Sequence, residues 1–223
     1  MNKKLKLEEL NRLSILEFKE LEKDPIIVLL DDVRSFNNIG SVFRTCDAMG
    51  VKKIYLCGIT GQPPHREIRK TAIGASESVD WEYENNASEI LAKYRDLGYA
   101  IVAVEQTSSS VSLENYQLSN KNILLVFGNE INGVSQKLVD LCDLSLEIPQ
   151  WGTKHSMNIS VSVGIVLWNL KKLFLLKNFN IRSINSILIQ CKVNNCLLNY
   201  WKKWPYLNHE KRIKPAKFEW FWE

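Results

Sequence analysis

Two segments far apart in the chain hold the residues best suited to chemistry. They are Asn37-Asn38-Ile39-Gly40-Ser41-Val42-Phe43-Arg44, and the stretch from Phe127-Gly128-Asn129-Glu130 through Ile148-Pro149 to Ser156-Met157-Asn158. The first opens a predicted helix in which Asn38 suits the N-cap, while Gly40 and Ser41 leave backbone N–H groups open to an anion. Arg44 follows Ser41 by about one helical turn, so its guanidinium reaches the same mouth. A well-capped helix whose arginine forms a surface ion pair has the same pattern, and on this segment alone that reading is preferred. In the second stretch Gly128 lets the backbone come close to a ligand and Ser135 suits the cap of the next helix. Pro149 stops a strand, Gly152 permits a turn, and Ser156 and Asn158 place a hydroxyl and an amide at the start of an apolar helix. A third segment, His65-Arg66-Glu67-Ile68-Arg69-Lys70, sets three cations close together where they could meet phosphates. On charge alone it is equally a solvated helix start with Glu67 partnering a neighbour.

These residues need a scaffold that gathers strand ends, and the apolar pattern predicts one. Leu7, Leu10, Phe18 and Leu21 approximate helical spacing, and Ser14-Ile15-Leu16-Glu17 has the pattern of a capping box, so residues 5 to 23 read as one or two short helices ended by Asp24-Pro25. Ile26-Ile27-Val28-Leu29-Leu30 reads as a strand buried on both faces, as in a parallel sheet, and its end delivers Asp31 to Asn38 to the carboxyl edge. Further strands are predicted at Lys52–Cys57, Ser78–Tyr83, Ala100–Val104, Ile123–Phe127 and Leu144–Ile148, with helices such as Ala87–Leu97 and Ser135–Leu141 between them. The expected class is α/β, an open, mostly parallel sheet whose ligand crevice lies at the carboxyl ends of its strands. The expected organisation is an N-terminal helical extension over 1–24, a principal domain over 25–176 and an atypical tail over 177–223. Trp201, Trp204, Trp220 and Trp222 crowd that tail. It reads as a helical cover for part of the core followed by a basic end, in preference to an aromatic surface for RNA.

Composition narrows the class further. A chain of 223 residues, 45% of them hydrophobic, can bury one substantial core. Its 29 basic against 25 acidic residues give a net charge of +4, too slight to indicate nucleic-acid binding without local clustering. Cys46, Cys57, Cys142, Cys191 and Cys196 include no CxxC pair, supporting neither a disulfide framework nor a zinc site and suiting a reducing cytosol. The N-terminus has no signal-peptide pattern. The longest apolar stretch, Ile159–Leu176, is interrupted by Asn169, Lys171 and Lys172 and is expected to be too short and too polar to span a bilayer. A soluble, cytoplasmic protein is expected, with Asn86-Ala87-Ser88 and Asn158-Ile159-Ser160 matching glycosylation acceptors by chance.

In this order and with their flanking residues, Asn37–Arg44, Phe127–Ser135 and Ile148–Ser162 resemble the three signature motifs of the SpoU/TrmH branch of the SPOUT RNA methyltransferases, which methylate a ribose 2′-hydroxyl. The resemblance spans roughly residues 25 to 172, with Trp151 standing where a smaller or thioether residue is expected. Thr71-Ala72-Ile73-Gly74-Ala75 is also similar to family sequence and tips Arg66, Arg69 and Lys70 towards RNA contact. The resemblance implies a SPOUT-like C-terminal trefoil knot and S-adenosyl-L-methionine as donor, held near Gly128, Ile148 and Met157. It also implies a catalytic set of Arg44, Asn37, Glu130, Ser156 and Asn158, no metal, and a homodimer whose contact includes the apolar helix Ile159–Leu170. Under it Glu130 organises the catalytic pocket, though a structural acceptor for loop N–H groups fits the residue equally. The family view makes Arg44 assist removal of the hydroxyl proton. A guanidinium pKa above about 12 makes it a poor base, so the expected role is to hold the ribose and adjacent phosphate and to stabilise the alkoxide.

The implied activity is RNA 2′-O-ribose methylation. Transfer RNA, with a guanosine of the D-loop as the specific target, is the first expectation. Ribosomal RNA is second, because no counterpart is seen to the separate N-terminal RNA-binding domain of several ribosomal-RNA members. One rival is a catalytically inactive RNA-binding protein of the same fold. Another is a nucleotide-dependent metabolic enzyme, which would need a phosphate-cradling glycine loop or a poised titratable pair. No GxGxxG occurs, and His65, His155 and His209 are scattered.

Overall fold

Ile26–Asp31 (β1) is an apolar run with both faces covered. Ile26, Val28 and Leu30 point into one hydrophobic cluster and Ile27 and Leu29 into another, all fully buried. Burial on both faces is what a parallel strand between two helical layers requires. The structure, a computed structural model, describes residues 2–118 and 122–178. The other strands are β2 (Lys53–Cys57), β3 (Trp81–Glu84), β4 (Ala100–Val104), β5 (Val111–Ser112), β6 (Ile123–Phe127) and β7 (Leu144–Glu147). They form one seven-stranded sheet in the order β3-β2-β1-β6-β4-β7-β5, with every neighbouring pair parallel. The expected "mostly parallel" sheet is therefore wholly parallel.

Helices on both sides supply the crossovers. Those described are α1 (Ile15–Glu20), α2 (Phe36–Met49), α3 (Arg66–Ala72), α4 (Ala75–Ser78), α5 (Ala87–Asp96), α6 (Gln136–Val139) and α7 (Ile159–Asn178). Ile39, Val42 and Phe43 of α2, Ile68 of α3 and Val163, Val166, Leu167 and Leu170 of α7 pack on the face that includes Val28 and Leu30. Ile90, Leu91 and Tyr94 of α5 and Leu138 of α6 cover the other face. The chain runs outward from β1 to β3, then returns to lay β6 against β1's opposite side. At such a switch the loops leave in opposite directions and open a crevice beyond the carboxyl ends. Leu30 is in register with Phe127, so the two strands end level and the segments after them face each other.

Local chemistry explains where the elements begin, and in places corrects the sequence reading. The Ser14 capping box is present: Glu17 N–H donates to Ser14 Oγ at 3.3 Å and Ser14 N–H to Glu17 Oε2 at 2.8 Å. The strand expected over Ser78–Tyr83 starts later, because residues 75–78 close a helical turn capped by Gly74 in the left-handed region. The two-residue β5 has no periodicity by which it could be foreseen. Helix α2 starts before the expected Asn38 cap: Ser35 is the N-cap, its Oγ accepting from Asn38 N–H at 3.3 Å. Gly40 is therefore inside the helix and does not expose N–H groups to an anion. It is a contact point instead, since a Cβ there would collide with Thr71 Oγ1 and the carbonyl oxygen of Ile68, so α2 and α3 lie backbone to backbone. Both Asn-X-Ser sequences are helix caps, with Asn86 Oδ1 accepting from Ser88 N–H and Asn158 Oδ1 from Ser160 N–H.

By length and composition α7 is long and apolar enough to cross a membrane, an 18-residue window of mean hydropathy 1.6, contrary to the expectation for Ile159–Leu176. Its three lysines, Lys171, Lys172 and Lys177, fall in the second half of the helix, after the apolar run that begins at Ile159. Packing explains that run: Val163, Val166, Leu167 and Leu170 are fully buried in the core. The tail expected from 177 onward lies outside the described residues, except for the end of α7.

Candidate functional site

Glu130 stands at the centre of the crevice. Its Oε2 accepts the Arg34 N–H at 3.0 Å, and its Oε1 accepts both the Ser35 N–H and the Asn38 side-chain amide at 3.0 Å. Asn38 passes the link on, because its Oδ1 accepts from Asn158 Nδ2 at 3.0 Å. The loop before α2, the loop after β6 and the residue capping α7 are thereby tied through one carboxylate and two amides. The anion that fits the start of α2 is the protein's own Glu130, since the free N–H groups of a helix start favour negative charge. Burial pushes the Glu130 carboxyl pKa up, but hydrogen bonds from Arg34, Asn38, its own N–H and Ser35 outweigh it and hold the group below its ordinary 4.5. The stabilisation is thus complete above about pH 4.5 and is lost as pH falls through the lower folded value. Of the two roles weighed for Glu130, the structural one is seen: it accepts loop N–H groups and is linked through Asn38 to Asn158.

The loop carrying Glu130 is a tight bulge. Asn129 and Gly133 exchange backbone hydrogen bonds at 3.0 and 2.8 Å. Asn129 Oδ1 accepts from the N–H groups of Ile131 and Asn132, and its Nδ2 donates to Asp32 O at 2.7 Å. Gly128 was expected to make room for a ligand, yet the nearest obstacle to a Cβ there is the backbone of Gly133 and Val134, so its first service is to let the loop close. Gly133 is left-handed, with φ +66°, and a side chain there would run into Glu105. Glu105 is a residue the sequence reading missed. Its Oε2 accepts the Val134 N–H at 2.8 Å, and the adjacent Gln106 donates through Nε2 to His155 O at 2.9 Å. The end of β4 thus holds both loops that bound the crevice. An acid after a strand is too common a pattern to have marked it.

A cleft of about 540 Å³ opens between those loops, and Gly128, Ile148, Ser156, Met157 and Asn158 line it with Glu130. The structure therefore brings together six of the proposed catalytic and cofactor residues. Arg44 is exposed on α2 and makes no hydrogen bond or ion pair among the described residues. Asn37 is replaced in the network by its neighbour: it contributes only its backbone carbonyl, which accepts from Ser41 Oγ at 2.9 Å and Thr71 Oγ1 at 3.1 Å. The phase of α2, set by the Ser35 cap, turns the Asn38 amide to Glu130. Arg66, Arg69 and Lys70 lie on α3, away from the cleft, and line a separate groove of about 770 Å³. Lys70 approaches Glu67 at 3.8 Å, an exposed pair that contributes little.

The profile of the SpoU rRNA Methylase family matches residues 25–168. This chain belongs to that family. Among its relatives, a tRNA (guanosine(18)-2′-O)-methyltransferase of Aquifex aeolicus is 31% identical over 162 residues, covering 70% of this chain and 73% of the relative. A protein of the same name from Borreliella burgdorferi is 27% identical, over 82% of this chain and 80% of the relative. The 23S rRNA (guanosine-2′-O-)-methyltransferase RlmB of Neisseria meningitidis is 31% identical, and this chain spans 63% of its length. The crystal structure of the Aquifex aeolicus TrmH/SpoU tRNA modifying enzyme superposes with a TM-score of 0.64 at 26% identity, over 86% of this chain and 94% of that one. An AdoMet-bound rRNA methyltransferase from Sinorhizobium meliloti gives 0.62 at 26% identity, with 70% of this chain and 59% of that one covered.

A further cleft, about 420 Å³, adjoins the Asn129–Gly133 loop and is lined also by Asp31, Asp32, Arg34 and Ile59. Burial and the neighbouring Asp32 raise the Asp31 pKa to about 6, from 3.8. Above that value the carboxylate carries its charge at a cost, and the cost is relieved as pH falls through about 6. Asp31→Asn removes it. The expected result is a folded state more stable by about 1–3 kcal/mol at pH 7.5, with the gain shrinking towards pH 5. Urea titration at both pH values checks this, and a variant of unchanged or lower stability at pH 7.5 contradicts it.

Proposed function

We propose that this protein transfers the methyl group of S-adenosyl-L-methionine to a ribose 2′-hydroxyl of RNA. Transfer RNA is the first target, with a D-loop guanosine as the specific site and ribosomal RNA as the alternative. The observation that carries the reading is the Glu130–Asn38–Asn158 link, which joins all three motif segments around one cleft. Support for tRNA comes from the relatives named for guanosine 18, of which this chain spans 73% and 80%, against 63% of the RlmB relative.

The cleft's chemistry fits the cofactor. Val104, Phe127, Leu146, Ile148 and Met157 give it apolar walls, and the turn from Gly128 to Gly133 offers peptide groups. Gly128, Ile148 and Met157 would hold S-adenosyl-L-methionine there. When bound, it supplies a methyl group on a sulfonium, activated for transfer without a metal. The protein's own work is alignment and exclusion of water. Arg44, free of internal partners, holds the target ribose and adjacent phosphate and stabilises negative charge as the hydroxyl is deprotonated. Ser156 and Asn158 border the cleft where the sugar must lie. Arg66, Arg69 and Lys70 bind phosphates outside it.

The connection from β7 to α7 is read as the trefoil knot. The bonds from Gln106 to His155 O and from Asn158 to Asn38 support that reading, because they draw the connection back over the loops of β4 and β1. Of the three parts read as 1–24, 25–176 and 177–223, the second boundary is supported by a division of the chain after Leu175, which keeps 1–24 in one unit with the main domain. Free Cys46, Cys57 and Cys142 accord with a cytoplasmic protein. A homodimer through Ile159–Leu170 is supported by Val161 and Trp168, which are 51% and 67% exposed on α7. Sedimentation over a range of concentrations is expected to show a dimer that Trp168→Glu dissociates, and a concentration-independent monomer contradicts it.

Transfer of labelled methyl groups to bulk tRNA and rRNA, followed by mapping of 2′-O-methyl sites, tests the function. A protein that takes up the cofactor and RNA yet transfers nothing is the inactive binding module instead. No uptake of cofactor with RNA supplied removes the reading altogether.

A further inference from the structure

Phe36 is the first residue of α2, and it is unlike the core phenylalanines. Phe18, Phe43, Phe127 and Phe174 are at most 5% exposed, whereas Phe36 is 37% exposed. Its ring is nonetheless held. It stacks face to face on His65, with centroids 3.8 Å apart and planes 15° from parallel. The other aromatic pairs among the described residues meet edge to face. Gly61 backs the ring, because any side chain there would collide with Phe36 Cε1 and Cδ1. His65 is fixed in turn: its Nδ1 accepts the Glu67 N–H at 3.3 Å and caps α3. The partly exposed ring is thus held in one orientation by two neighbours, His65 and Gly61.

We propose that the Phe36–His65 stack is a platform for an unpaired base of the RNA substrate, next in line to the nucleotide whose ribose is methylated. The inference rests on the methyltransferase reading and adds to it a base-binding site. Two features of the surroundings favour RNA over a protein partner. Arg66 directly follows His65 in the chain, and with Arg69 and Lys70 it lines the groove of about 770 Å³, so cations for phosphates adjoin a ring for a base. Strand-binding sites for single-stranded nucleic acid combine these two components, since every base has a face that stacks and every linkage has a charge. The platform also touches the reaction site through the backbone. Ser35 before it donates to Glu130, and Asn38 two residues on joins Glu130 to Asn158. Phe36 begins α2 and His65 caps α3, so the stack lies where the two helices start.

The test uses the full-length protein and the tRNA or rRNA transcript that accepts methyl groups, with 2-aminopurine placed in turn at each unpaired position. For one position the wild type is expected to quench the fluorescence on binding. Phe36→Leu is expected to abolish that quenching and weaken RNA binding by about five- to a hundredfold, the range of one lost base stack. Its affinity for S-adenosyl-L-methionine stays at the wild-type value, and its melting temperature falls by only about 2–4 °C, the effect of a small loss of packing in a domain of this size. Because no phosphate contact is lost, the slope of affinity against salt is also unchanged, whereas reversing Arg66 and Arg69 flattens it. Phe36→Tyr restores the quenching. Wild-type RNA affinity in Phe36→Leu, or quenching at no position in an active wild type, overturns the platform and leaves the methyltransferase reading intact. If the wild type takes up no cofactor and methylates no RNA, both fall together. Binding of RNA unchanged by Phe36→Leu alongside loss of a protein partner would assign the ring to protein docking and also overturn the proposal.

Discussion

Arg44→Ala is expected to lower kcat for methyl transfer by about a hundred- to a thousandfold, the loss that follows removal of one preorganised group facing developing negative charge. The structure makes this a clean substitution. Arg44 is exposed and has no partner among the described residues, so its removal strands no buried group and the melting temperature should not move. Cofactor affinity should be retained as well, since the cleft is lined by other residues. Arg44→Lys separates charge from geometry. A lysine keeps the positive charge but loses the planar fork that grips ribose and phosphate oxygens together, and only a small part of the rate should return. Single-turnover transfer with saturating RNA is the decisive measurement. Arg44→Lys turning over at the wild-type rate would remove both the positioning and the charge-stabilising role.

The first strand and the first helix were legible because their signals are local. The unbroken run Ile26–Leu30 could be satisfied only by burial on two faces, and the Ser14 box by two reciprocal hydrogen bonds within one turn. What was not legible depends on partners distant in sequence or on helix phase. Glu130 meets Arg34 and Ser35 across 96 and 95 residues, and no pattern near Glu130 announces which N–H groups it will accept. Glu105 and Gln106 acquire their roles only because β4 lies beside β6 and β7, a matter of strand order. The choice between Asn37 and Asn38 turned on where α2 begins. A start shifted by three residues from the expected cap rotates every later side chain by most of a turn, and no composition argument fixes that. Gly40 shows the same effect: its role as the contact with α3 follows from its lying within the helix, whereas a glycine at the helix mouth would have exposed its N–H.

That phase makes the two neighbouring asparagines a sharp test of the site. Asn38→Ala should reduce kcat/KM by about a hundredfold and weaken cofactor binding, while Asn37→Ala should stay within about threefold of wild type. The asymmetry follows from what each residue contributes. Asn37 offers a backbone carbonyl, which alanine also has, whereas the Asn38 amide is the only described bridge between Glu130 and Asn158. Losing two partly exposed hydrogen bonds should lower stability by only about 1–3 kcal/mol, too little to unfold a domain of this size, so the loss of activity reports position. Asn38→Asp sharpens the point, because it sets a carboxylate against Glu130. At neutral pH the two charges repel and the segments part. As pH falls towards 5 the pair takes up a shared proton, and part of the activity should return relative to Asn38→Ala. Steady-state kinetics with calorimetry of the cofactor, run across that pH range, tests each step. Greater damage from Asn37→Ala than from Asn38→Ala would show that the active arrangement places the first turn of α2 in a different phase, and the Glu130 bridge would then lose its role in catalysis.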